Sequence, residues 1–226
     1  MFLQLDVTSK AQAKTAVETA LKRFGRIDVL INNAGYSLLG NFEELTSTAI
    51  ERQFATNFFG VMHVMRAVLP VMRSQRSGHL NVASVAVAIG FKSAVAYSAT
   101  KFAVEGLSLS VPMEVEQFVI KVTVVEPGFF RTDLLDAQSV EYGGNLIEDY
   151  AAPGSVKAAW EVYNQQQPGD PAKLGAALVK IAEMESSPKQ FLAGSDAIAM
   201  VTPGLEARLK QIQDYADLSK STDGTF

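Results

Sequence analysis

Residues 26–35 read Arg-Ile-Asp-Val-Leu-Ile-Asn-Asn-Ala-Gly, and this stretch decides the fold. Residues 27–31 are a run of β-branched and apolar side chains, strand-like in length and composition. Asn32-Asn33-Ala34-Gly35 then closes the run as a loop. Similar short runs lie on both sides of it, at residues 2–7, 80–83, 120–125 and 190–193. Helical patterns fill the gaps. Ala13, Val17, Ala20, Leu21 and Phe24 recur at helical spacing after a Thr8 or Ser9 cap, and Gly25 ends that helix. Further helices are expected over residues 46–75, capped by Thr46 or Ser47, and over residues 94–118. Asp170-Pro171 opens another helix, with Asp as cap and Pro in the first position. Residues 205–215 read as a short helix with a fraying end. Residues 134–170 are rich in Gly, Pro, Asn and Gln and read as an irregular surface excursion of the kind that serves as a substrate lid.

Strand–helix alternation implies an α/β fold, a doubly wound parallel sheet covered by helices on both faces. Ligands of such sheets bind at the carboxyl ends of the strands. The loops that matter therefore begin at Asp6, Asn32, Ser84 and Glu126.

Composition narrows the function. The 226 residues suit a single domain over 1–226, and no internal repeat or linker divides them. A hydrophobic fraction of 48% against 19% charged excludes a disordered chain. A net charge of −4, with the basic residues dispersed, gives no nucleic-acid tract. Without cysteine there is no disulfide, thiolate metal site or Cys nucleophile. Two histidines, His63 and His79, give little material for a metal site or a Ser-His-Asp triad, and both read as structural. No membrane span and no signal segment is apparent, so the expectation is a reduced, soluble, cytoplasmic protein.

Tyr97 and Lys101 stand four apart on a predicted helix, so both side chains share one face. An ammonium beside a phenol favours the phenolate by charge, which suits Tyr97 to general acid or base work. Ser84 lies at the carboxyl end of a predicted strand, thirteen residues before Tyr97. Its hydroxyl can hold a substrate oxygen that gains negative charge. Asn57 is a mediocre helix former inside a predicted helix. Each also has a plain structural reading: a chance helical pair, a turn serine, a surface asparagine.

Together they form a pattern. Asn32-Asn33-Ala34-Gly35, Asn57, Ser84, Tyr97-Ser98-Ala99-Thr100-Lys101 and Pro127-Gly128 with Thr132 resemble, in order and spacing, the short-chain dehydrogenase/reductase family. The resemblance spans nearly the whole chain. It implies a Rossmann-type sheet and hydride transfer between a nicotinamide cofactor, NADP(H) or NAD(H), and a small ketone, aldehyde or alcohol. Tyr97 would exchange the proton with the substrate oxygen and Ser84 would hold that oxygen. Lys101 would bind the nicotinamide ribose, and Asn57 would hold a water that relays protons. Asp6 and Val7 would contact the adenine, and Asn33, Ala34 and Gly35 would line the adenosine end. Pro127, Gly128 and Thr132 would embrace the nicotinamide amide. A sugar epimerase on a related fold shares the Tyr-x-x-x-Lys spacing but is longer and lacks Asn-Asn-Ala-Gly.

The sequence also departs from that family. None of its sixteen glycines are two apart, so it holds no Gly-x-Gly turn for a pyrophosphate. Residues 2–7 resemble the family's third strand, as if about sixty residues, including the first two strands, preceded Met1. The expectation is an N-terminally truncated sheet in which residues 2–7 either pair with the 27–31 strand or hang loose. Two readings follow: a piece of a normal enzyme, or a non-catalytic relative that cannot hold a dinucleotide. Pro112 falls inside a predicted helix that often builds the family's subunit interface, which bears on a possible homo-oligomer. Val87 stands where many relatives carry Gly. Phe91, Ala86 and Leu134 would surround the substrate carbon and favour an apolar substrate. Trp160, Tyr163 and Phe129 either line the substrate entrance or merely pack a loop. Met62, Met65 and Met72 read as core, and Glu43-Glu44 and Glu114/Glu116 as solvated faces.

Overall fold

The protein is described by a computed structural model covering residues 1–83, 89–151 and 154–224. Ser84, Ala86 and Val87 lie outside the described residues. In chain order the elements begin with α1 (Lys10–Phe24), β1 (Val29–Asn32), β2 (Ser37–Leu39) and α2 (Ser47–Phe54). A π-helical segment, Ala55–Phe59, joins α2 to α3 (Gly60–Gln75), followed by β3 (Gly78–Ala83), α4 (Val95–Val115) and β4 (Ile120–Pro127). The remainder is β5 (Val140–Tyr142), α5 (Val156–Glu161), α6 (Pro171–Glu183), β6 (Gln190–Ala193), α7 (Ser195–Asp214) and α8 (Ala216–Lys220).

Among the described residues, β1, β3, β4 and β6 form a parallel sheet in that order, with Leu30 opposite Leu80, Val82 opposite Val124 and Val124 opposite Gln190. The expected α/β architecture is present. Strand β4 is buried on both faces. Ile120 and Val122 face a core made with Ala13 and Val17 of α1, Met65, Val68 and Met72 of α3, and Val104 of α4. Thr123 and Val125 are fully buried on the opposite face. Each such fully buried valine contributes about 2 kcal/mol, so β4 is the spine of the fold. Helix α7 packs Ala197 and Val201 against Leu192 of β6.

The capping residues act as the sequence implies. Ser9, Thr46 and Asp170 accept from backbone N–H groups at the starts of α1, α2 and α6, and Gly25 closes α1 in the left-handed conformation. Each histidine is held by a contact to another segment of the fold. His63 Nδ1 donates to the Val7 carbonyl at 3.0 Å, and His79 bonds the Thr123 hydroxyl at 2.9 Å. Burial, and then the nearby Lys121, hold the His79 pKa below its ordinary value.

Several expectations are corrected. Residues 2–7 form no strand, the second of the two outcomes expected for them, and Phe2 is fully exposed. A strand needs a neighbouring edge for its backbone groups, and β1 does not supply one to them. Val29 and Ile31, two apart and so on the same face of β1, are 39% and 47% exposed. Phe24 lies outside the core, 59% exposed with the Arg23 guanidinium over its ring. The 134–170 excursion is not irregular throughout: β5 pairs in parallel with β2, a contact more than a hundred residues apart, and Arg52 ties α2 to Glu141 of β5. Glu44 is not solvated. It is 4% exposed and accepts from the Ile147 N–H at 3.0 Å and from Asn41. Those bonds, the one from Ile147 first, lower its pKa despite the opposing effect of burial. Helix α7 begins ten residues earlier than residues 205–215 suggest. Helix α4 runs through Pro112. The continuous helical stretch Ser47–Gln75 is long and apolar enough by composition to cross a membrane, with mean hydropathy 1.2. Val61, Val64, Met65, Val68 and Met72 nevertheless bury one face of it in the core.

Candidate active site

The carboxyl ends of β1 and β4 open onto a cavity of about 440 Å³. Tyr97 and Lys101, on the first two turns of α4, face into it, with the Lys101 Nζ 5.4 Å from the Tyr97 ring centre. Asn33 and Gly35, from the loop after β1, line one side. Pro127, Gly128 and Thr132, from the loop after β4, line the other. Seven of the residues singled out in the sequence thus converge on one space. Phe91 and Leu134, expected around a substrate carbon, line it too. Ala34 belongs to the same loop as Asn33 and Gly35 but is not among the lining residues.

Asp6 and Val7 stand apart from this cavity. The Asp6 carboxylate accepts from the backbone and hydroxyl of Thr8, which lowers its pKa, while Val7 packs against Gly60.

Asn57 is 1% exposed and sits in the π-helical turn. Such turns interrupt the regular ladder and are frequent at functional sites. Its side-chain oxygen accepts from the Tyr36 N–H at 3.1 Å and its amide donates to the Tyr36 carbonyl at 2.9 Å. A weaker contact of 3.4 Å reaches the Thr100 hydroxyl, one residue before Lys101. Asn57 therefore clamps the loop after β1 to the helix that carries Tyr97. Gln53, one turn earlier and fully buried, adds a second bond to the Tyr36 carbonyl. A Cβ on Gly35 would lie 3.1 Å from the Asn57 oxygen, so the close neighbour at this glycine is Asn57.

Sequence reasoning missed a matching clamp on the other loop. Asp196, in the first turn of α7, accepts from the Phe129 N–H at 2.6 Å. A Cβ on Gly128 would overlap the Asp196 carboxylate. In the sequence Asp196 is simply an acid two residues after Gly194, which shows nothing of its partner. Gln167 was missed as well. It lines the cavity, is 4% exposed, and its side-chain oxygen lacks a protein partner among the described residues. Trp160 and Phe129 line the cavity, while Tyr163 lines an adjoining one.

This arrangement offers a phenol and an ammonium at one wall and backbone held close by two clamps, in a pocket lined by both apolar and polar side chains, Asp133 and Gln167 among them. It suits proton exchange with a small polar group. Among the described residues no cluster of acidic residues and histidines could hold a metal ion.

Known proteins with these features are numerous. The family model described as short chain dehydrogenase matches residues 1–142. A 3-ketodihydrosphingosine reductase of Bacteroides thetaiotaomicron is 39% identical over 188 residues, covering 82% of this chain and 70% of that protein. The crystal structure of a short-chain dehydrogenase from Streptomyces avermitilis superposes with a TM-score of 0.88 at 36% identity, covering 98% of this chain and 80% of that one. The structure of ElxO with NADP bound superposes with a TM-score of 0.68 at 27% identity, covering 85% and 75%. The sheet, the cavity at its carboxyl end and these matches lead to one conclusion: the chain belongs to the short-chain dehydrogenase family.

Proposed function

We propose that this chain is an NAD(P)-dependent oxidoreductase that interconverts a ketone or aldehyde and an alcohol. One observation carries the reading: Tyr97 and Lys101 share a cavity with Asn33, Gly35, Pro127, Gly128 and Thr132. The relative named as a 3-ketodihydrosphingosine reductase and the neighbour with NADP bound support it, and NADP(H) is the first cofactor to try, ahead of NAD(H).

The pocket fits the nicotinamide–ribose end of a dinucleotide. Its volume lies in the range of small-molecule sites. Its polar groups sit against an apolar floor of Val125 and Pro127. The unpartnered oxygen of Gln167 provides a buried acceptor for a carboxamide N–H. When bound, the dinucleotide supplies or takes up the hydride exchanged at the substrate carbon. Lys101 would hold the ribose hydroxyls beside Tyr97. Tyr97 exchanges a proton with the substrate oxygen, and Ser84 holds that oxygen by a hydrogen bond. The side chain of Asn57 is already committed to Tyr36 and Thr100. Its part in a water relay therefore falls to its main chain in the π turn.

The exposed apolar stripe on α4 supports association of two copies. Val95, Phe102, Leu109 and Met113 are 43%, 44%, 41% and 73% exposed, and their spacing puts them on one face.

A second reading is a chain that keeps this pocket but does not hold a dinucleotide by itself. The absence of a Gly-x-Gly turn from the sequence favours it. Titrating the protein with NADPH and NADH while following its melting separates the two. A ligand at a hundred times its Kd adds about 2.7 kcal/mol, or roughly 5–10 °C for a domain of this size. A saturable shift together with ketone-dependent NADPH oxidation supports the enzyme. A cooperative melt with no shift and no turnover supports the second reading.

A further inference from the structure

We propose that the substrate is an elongated carbonyl compound. Its reacting end occupies the Tyr97 cavity, and its remote apolar body occupies a second chamber behind an aromatic partition. The proposal rests on the reaction proposed above and names its substrate class.

A second cavity of about 410 Å³ adjoins the first. Phe91, Phe129 and Trp160 line both, so these three rings form the shared wall. They belong to a closed circuit of four. Phe91 meets Phe129 edge-on at 6.0 Å and Trp160 at 6.4 Å. Tyr163 stacks on Phe129 at 6.1 Å and meets Trp160 at 6.3 Å. The four rings come from the approach to α4, the loop after β4, helix α5 and the turn that follows it. Four rings drawn from separate segments do more than pack one loop. Each such contact adds only a small gain beyond the area it buries, so a bound chain that covers the same surface offsets the loss of one. Beyond the wall, Val156 and Ala159 of α5 continue the apolar lining, alongside the polar Asn41, Lys92, Ser93 and Ser155.

Size gives the argument its direction. The Tyr97 cavity must take the nicotinamide end and the reacting carbon together, which leaves little of its 440 Å³ for a substrate body. A chamber of nearly equal volume lies immediately beyond the rings. A short ketone leaves that apolar surface in contact with water, whereas a long one covers it. Burying one methylene is worth about a fourfold gain in binding, so kcat/KM rises about fourfold per carbon once the chain crosses the partition.

Trp160 is the single tryptophan of the chain, so its emission reports on the partition directly. The test is a series of methyl ketones from butanone to methyl nonyl ketone, with NADPH. The expected result has three parts. Kcat/KM climbs steeply with length over several carbons. Methyl nonyl ketone changes the Trp160 emission saturably and butanone does not. Ala159→Phe, which fills the chamber from an exposed helix position, flattens the length dependence and removes the emission change. Turnover of butanone with no rise along the series and no emission change overturns the chamber and leaves the reaction standing. A rise that Ala159→Phe leaves intact also overturns it. A saturable emission change that Ala159→Phe removes, without turnover of any ketone, upholds the chamber and overturns the reaction.

Discussion

Glu126 is 3% exposed at the carboxyl end of β4, on the face toward α4. Glu105 of α4 comes close enough for both carboxylates to accept from the side-chain amide of Gln190, at 3.0 Å and 3.3 Å. Arg208 of α7 is the nearby positive group, acting on Glu105. Burial first, and then the charge of Glu105, push the Glu126 pKa from 4.5 up to about 7, and the Gln190 bond offsets only part of this. The folded protein therefore binds a proton that the unfolded chain has already released, and stability falls as pH rises. The favourable contribution is complete below about pH 4.5 and is lost as pH passes about 7; the separation is worth about 3 kcal/mol. Glu126→Gln keeps the shape and the bond from Gln190 but cannot ionise. Between about pH 5 and pH 8 the variant should gain about 2.5 kcal/mol on the wild type, roughly 5–10 °C in Tm. Urea unfolding and thermal melts of both proteins across that range measure it. Glu105→Gln should flatten the wild-type slope in part, because it removes the like charge but not the burial. Parallel pH profiles for wild type and Glu126→Gln would refute the assignment.

Three further outcomes are expected. Tyr97→Phe should lower kcat by about 10²–10⁴-fold, while the melting shift with nucleotide persists; ketone reduction within tenfold of wild type would remove Tyr97 from the proton step. Asp196→Ala should cost about 2 kcal/mol of stability and raise the KM for nucleotide about tenfold, because the Phe129 N–H loses a charged acceptor and the loop after β4 loosens. Melts and steady-state kinetics check both, and an unchanged KM would mean the loop is held without it. Leu109→Glu places a charge in the middle of the exposed α4 stripe and should shift the protein to a monomer by sedimentation, with the Tyr97 pocket intact.

Local signals survived folding well, and long-range pairings were invisible. Residues 190–193 became β6 unchanged, and the 27–31 and 120–125 runs became β1 and β4 with ends shifted by one or two residues. The caps Ser9, Thr46 and Asp170 were legible because a cap is a contact within three residues. The β2–β5 pair was not, since two three-residue strands joined across a hundred residues carry no periodicity. The run at 2–7 shows the opposite error. Its composition is right for a strand, but strand formation depends on a partner edge that its own residues do not encode. Glu44 reads as a surface acid because it stands in an acidic pair with Glu43, whereas its N–H donor at Ile147 lies far along the chain.

The candidate site was legible through its glycines more than through the residues that hold it. Two loops at the carboxyl ends of β1 and β4 frame Tyr97 and Lys101, and each is gripped by a side chain from another helical segment. Asn57 grips the first loop through both backbone groups of Tyr36; Asp196 grips the second through the Phe129 N–H. In both loops the glycine stands where a Cβ would crowd the gripping group: 3.1 Å from the Asn57 oxygen at Gly35, and in overlap with the Asp196 carboxylate at Gly128. The Asn-Asn-Ala-Gly and Pro-Gly patterns thus record a close approach whose second member lies elsewhere in the sequence. Asn57 could be noticed because asparagine is out of place in a helix, and its reach depends on the π turn that carries it. Asp196 sits in the first turn of a helix, where an acid is unremarkable. A residue that breaks a local rule advertises its task, while one that satisfies the rule hides a second task behind the first.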